Sequence, residues 1–161
     1  MASFALDHLT WANAQGGRAI LARSLAALLG CCLWCNAAAA APCHAPLPLR
    51  LAAGSTSKEI AGGIARGELA CFTFEARRGQ HMTVSQPDPD DSNIVMQIYR
   101  PPWAITREAD GISVRGLPLP GAKEGDDAKG WSGTLPATGR YLLVLGTSWG
   151  GGPYRIIVKL D

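Results

Sequence analysis

From Ala70 to Ala76 apolar and polar positions alternate. Ala70, Phe72, Phe74 and Ala76 fall on one side, and Cys71, Thr73 and Glu75 on the other. A period of two predicts a half-buried strand. Arg77-Arg78-Gly79-Gln80 reads as a hairpin turn, and residues 81–85 as the return strand with Met82 and Val84 inward. Residues 86–91 form a loop, and residues 93–99 another strand with Ile94, Met96 and Ile98 on one face. Residues 100–130 carry Pro, Gly and charge, and read as a long connection with one β-like patch at 112–114. Residues 131–146 read as strand, turn, strand. The run 141–145 is apolar at every position and predicts a central strand covered on both faces. In the last strand, residues 153–160, Tyr154, Ile156 and Val158 oppose Arg155, Ile157 and Lys159. No segment repeats with a helical period of 3.6. The pattern therefore predicts an all-β chain, an antiparallel, jelly-roll-like β-sandwich over residues 57–161.

Ahead of this pattern, residues 19–35 are almost wholly apolar, broken by Arg23 and Ser24. Arg18 and Arg23 make a positive flank, and the alanine run before Pro42 offers Ala-x-Ala cleavage sites. That order predicts a signal peptide over residues 1–40, removed after Ala39 or Ala40, and a periplasmic or secreted product. The apolar run is shorter than the roughly 20 residues a spanning helix needs. An alternative is a lipoprotein: Leu28-Leu29-Gly30-Cys31 resembles a lipidation site with Cys31 as acceptor, the one route by which this chain would meet a membrane. Residues 41–56, rich in Pro, Ala and Gly, read as a leader.

Export changes the meaning of the cysteines. Three of the five lie within the signal segment, leaving Cys43 and Cys71. An even pair in an exported chain predicts one disulfide, tying the leader to the sandwich, with two free thiols as the alternative. Closing that loop stabilises the fold by roughly 3–4 kcal/mol in the chain-entropy account.

Charge narrows the function classes. The net charge is +2, and losing residues 1–40 leaves 13 of 15 basic and 12 of 13 acidic residues. So balanced a chain, with no Lys/Arg stripe, offers no field for nucleic acid. His44 and His81 have no metal-like spacing to the two cysteines, so no zinc site is expected. Asp88, Asp90, Asp91, Ser92 and Asn93, and again Glu124, Asp126 and Asp127, are clustered loop oxygens without EF-hand spacing. They read as solvated charge, with Ca²⁺ the alternative. No nucleophile elbow, zinc helix or phosphate loop occurs, so neither an enzyme nor a cofactor is expected.

Two stretches resemble a known family. Gly67-Glu-Leu-Ala-Cys-Phe-Thr-Phe-Glu-Ala-Arg-Arg-Gly-Gln80 resembles the opening of bacterial pre-peptidase C-terminal-like domains, and Trp131-Ser-Gly-Thr-Leu-Pro-Ala-Thr-Gly-Arg-Tyr141 their closing half. The same layout is similar to the periplasmic inhibitors of invertebrate-type and goose-type lysozymes. The resemblance implies a binding protein that acts on a lysozyme-like hydrolase by inserting a loop into its cleft. The alternative it implies is an accessory module for cell-envelope glycan. In the inhibitors a Ser-Gly-x-x-Tyr loop enters the cleft. Here Gly150-Gly151-Gly152-Pro153-Tyr154 has that spacing, with Gly150 in place of the serine and Ser148 two residues earlier. The resemblance thus implies partner contacts from Ser148, Trp149, Gly150, Gly151 and Tyr154, with hydroxyl or Arg donors available to the enzyme's carboxylates; the alternative is a plain Gly-rich hairpin, with Tyr154 beginning the buried face of the last strand. Trp103, on the long connection, is a further candidate anchor, with packing beneath that connection as the alternative. Independently of the family, Pro136, Gly139 and Tyr141 suit a tyrosine corner, which makes Tyr141 structural.

Overall fold

A computed structural model describes residues 42–109 and 111–161. The signal peptide expected over residues 1–40, and with it Cys31, lies outside the described residues. Nine strands are formed among the described residues: β1 (Leu47–Pro48), β2 (Ser57–Ile64), β3 (Ala70–Ala76), β4 (His81–Ser85), β5 (Ile94–Glu108), β6 (Gly111–Pro118), β7 (Trp131–Thr134), β8 (Gly139–Thr147) and β9 (Gly152–Leu160). They form a five-stranded sheet in the order β1-β3-β8-β5-β6 and a four-stranded sheet in the order β2-β9-β4-β7. The pairings are antiparallel except β1 with β3. The described residues form an all-β sandwich.

The alternation in the sequence becomes the core. Phe72 and Phe74 of β3, Ile94, Met96 and Ile98 of β5, and Tyr141, Leu143 and Leu145 of β8 meet Met82 and Val84 of β4 and Tyr154, Ile156 and Val158 of β9. Each large side chain removed from water here contributes about 1.5–3 kcal/mol. Two aromatic contacts organise the layer. Phe74 stacks on Tyr141 at 5.4 Å, and Phe72 meets Tyr154 edge-on at 6.1 Å.

β8 is covered on its other face too. Leu142 and Val144 point outward and are buried with Cys43, Cys71 and Tyr99. Trp103, Ile105, Ile112 and Val114 pack over them. These four side chains come from a hairpin arm, residues 103–116, that extends β5 and β6 past β8. The expected long connection over residues 100–130 is therefore mostly strand, and this corrects the sequence reading. The Pro101–Pro102 step hid it, because proline cannot donate to a ladder and normally ends a strand. Here the pairing of β5 with β6 shifts register between Arg100 and Trp103, so the two prolines sit in an irregularity and the ladder resumes beyond them. The true connection is residues 119–130. It shields the edge of β5 through the bonds Leu119 N–H to Ile98 O (2.7 Å), Ile98 N–H to Ala122 O (2.9 Å) and Met96 N–H to Ala128 O (2.8 Å).

The leader joins the sheet. Cys43 and Cys71 form the expected disulfide, with Cα atoms 4.6 Å apart. β1 then pairs with β3, and Leu49 N–H donates to Thr73 O at 2.7 Å.

Candidate functional site

The loop from Thr147 to Gly152 joins β8 of one sheet to β9 of the other. A Gly-rich crossing exposes backbone groups, and this one is tied to Asn93 through both its side chain and its main chain. The Asn93 amide donates to Trp149 O (2.5 Å) and Gly151 O (3.3 Å), while Asn93 O accepts from Ser148 N–H (2.9 Å) and the Ser148 hydroxyl (3.2 Å). Thr147 Oγ1 closes the loop from within, donating to Gly150 O at 2.9 Å. Gly150 has φ +65°, a conformation other residues adopt only under strain. A Cβ on Gly151 would stand 2.7 Å from Ile64 O, so the loop lies against the backbone that follows β2.

This pinned frame turns Trp149 outward. Its side chain is 74% exposed, far more than Trp103 or Trp131. Tyr154 points the other way: it is 5% exposed, belongs to the core and presses its ring against Gly62, where any Cβ would collide with it. Burial raises the Tyr154 phenol above its usual pKa. An open cleft of about 540 Å³ lies alongside, bounded by Gly62, Asp88, Asp91, Asn93, Tyr154 and Arg155. Arg155 pairs with Glu59 at 3.3 Å.

The structure thus brings Ser148, Trp149, Gly150, Gly151 and Tyr154 to one place, in different roles. The Ser148 hydroxyl is spent on Asn93 O, and Tyr154 packs in the core against Phe72 and Gly62. Trp103 is not with them. It lies near the opposite end of β8, where its indole N–H donates to Arg140 O at 2.7 Å, and it packs on the outer cluster. Asn93, the residue that fixes the loop, reads in the sequence as the end of an acidic stretch and the first residue of a strand, with no sign of its partners. Its position between that stretch and an alternating strand was the available signal. Asp88, Asp90 and Asp91 are exposed, and Asp126 accepts from Lys123 N–H at 3.1 Å. Among the described residues no three His, Cys, Asp or Glu side chains converge on a metal-sized site.

No family model matches the chain. No curated protein matches it by sequence. Solved structures do match. The periplasmic inhibitor of g-type lysozyme from Aeromonas hydrophila is 24% identical with a TM-score of 0.53, the match covering 72% of this chain and 96% of that one. The corresponding inhibitor from Salmonella Typhimurium is 18% identical with a TM-score of 0.50, covering 72% and 97%. A mutant of the Escherichia coli inhibitor is 16% identical with a TM-score of 0.52, covering 72% and 97%. At such identities the likeness is one of fold: this sandwich is built as those inhibitors are built.

Proposed function

We propose that this chain is an exported, non-catalytic protein that inhibits a lysozyme-type hydrolase, with the loop 147–152 as the inserted element. The observation that carries the reading is the exposed Trp149 on a backbone pinned by Asn93. A rigid loop loses little entropy on binding, and a protruding indole is a strong anchor in a partner's cleft. The fold shared with periplasmic inhibitors of g-type lysozyme supports the choice of partner. The apolar segment before Pro42 and the Cys43–Cys71 disulfide support an oxidising, periplasmic or secreted location. With the Ser148 hydroxyl engaged inside the loop, the anchor is aromatic rather than a hydroxyl aimed at the enzyme's carboxylates.

The test is a titration of the disulfide-bonded protein against goose-, invertebrate- and chicken-type lysozymes while cell-wall lysis is recorded. Stoichiometric inhibition of one type, lost in Trp149→Ala and retained in Tyr154→Phe, is the expected result. Absence of inhibition at micromolar concentration overturns the reading. In that event Trp149 as a sugar-stacking residue, tested by peptidoglycan pull-down, becomes the better account.

A further inference from the structure

Residues 49–56 carry the chain from the edge of one sheet, beside β3, to the edge of the other, where β2 lies on β9. The crossing is anchored at both ends, by Leu49 N–H to Thr73 O (2.7 Å) and by Leu160 N–H to Thr56 O (2.8 Å). Beneath it a pit of about 250 Å³ opens into the sandwich. Its floor is core: Phe74, Val158 and Leu160. Leu49 and Leu51, half-buried, form its roof. At its mouth stand three exposed charged side chains, Arg50, Lys58 and Glu75.

The charges do not cancel. The Glu75 carboxylate is taken by Arg140, whose Nε lies 3.0 Å away. Among the described residues neither Arg50 nor Lys58 forms an ion pair. The pit therefore presents an apolar interior beneath two uncompensated cations. A ligand that satisfies both parts has one short apolar chain and one anionic head. A neutral chain leaves the cations unused, and a small anion leaves the interior empty. We propose that the pit beneath the leader crossing is a binding site for a medium-chain carboxylate, its tail between Leu51 and Leu160 and its head at Arg50 and Lys58. The site lies away from the Trp149 loop and does not depend on the inhibitor reading.

Methyl NMR of the disulfide-bonded protein tests this with hexanoate, 1-hexanol as the neutral chain and acetate as the chainless anion. Hexanoate is expected to shift the Leu49, Leu51, Val158 and Leu160 methyls saturably, with a Kd in the millimolar range set by so small a ligand. Hexanol, and hexanoate on the Arg50→Ala/Lys58→Ala double variant, are expected to bind on the order of five-fold more weakly, since both cations are exposed. Acetate is expected to leave the methyls unmoved. No saturable shift with hexanoate overturns the proposal. So does equal binding of hexanol, or a double variant that folds and binds as the parent does.

Discussion

At its start β8 is entered through a corner held by Tyr141, and at its end it leaves into a loop held by Asn93. The corner turns its aromatic inward. Tyr141 is fully buried, its hydroxyl donates to Ala137 O at 2.8 Å and accepts from Ala137 N–H at 3.0 Å, and its ring lies on Phe74. The loop turns its aromatic outward, and its bonds run from Asn93 to its backbone. Both ends are ordered by a side chain that reaches backbone groups across a turn. At the corner the ordering residue is also the buried one, so order and stability are the same contact. At the loop the two are separated: Asn93 orders and Trp149 protrudes. That separation frees the protruding residue for another molecule.

Four perturbations set the two ends of β8 apart. Tyr141→Phe should cost about 2 kcal/mol in urea unfolding, because it strips the hydroxyl from both Ala137 groups. A loss near zero would mean that the corner is held by packing alone. Asn93→Ala should cost roughly 1 kcal/mol and speed amide hydrogen exchange at residues 148–151. Unchanged exchange would show that the loop is rigid without Asn93. Alkaline pH probes the buried start of β9. The Tyr154 phenol titrates above its unfolded value of 10.0, so the native state keeps its proton longer. Stability should be complete below pH 10, then fall as pH rises through that value toward the higher native one, and Tyr154→Phe should blunt the fall. Tyr99, raised by burial and then by Glu124, adds its own share, so the loss should not vanish in that variant. The smallest effect on folding is Trp149→Ala, within about 0.5 kcal/mol, since the side chain is mostly in water. The same change should weaken inhibition roughly 30-fold, the scale of a binding hot spot. A Trp149 variant that unfolds readily would erase the contrast between the two ends.

Much of this was legible in the residues. The alternation at 70–76 placed Phe72 and Phe74 in the core and turned Cys71 toward the leader. The unbroken apolar run 141–145 announced a strand covered twice. Each of these is a local pattern repeated over several residues, which one buried face enforces. What stayed hidden depends on distant partners. The ladder that resumes after Pro101–Pro102 exists because β6 returns to meet it, and no residue near the prolines carries that information. The role of Asn93 likewise needs residues 149 and 151 brought to it by another strand. Trp103 read as a candidate anchor because an indole in a Pro-rich stretch looks exposed, and only the arm's path over β8 buries it.

The burial of the outer cluster has a consequence for the disulfide. Cys43 and Cys71 are 1% and 0% exposed, within the outer cluster that also holds Tyr99, Leu142 and Val144. Thiol–disulfide exchange requires a thiolate to reach a sulfur atom. A dissolved reductant meets neither sulfur until the structure opens locally around them. The rate of reduction in native conditions is therefore a clock for local opening of this outer cluster, and the crosslink outlasts a change of redox surroundings for as long as the cluster stays closed.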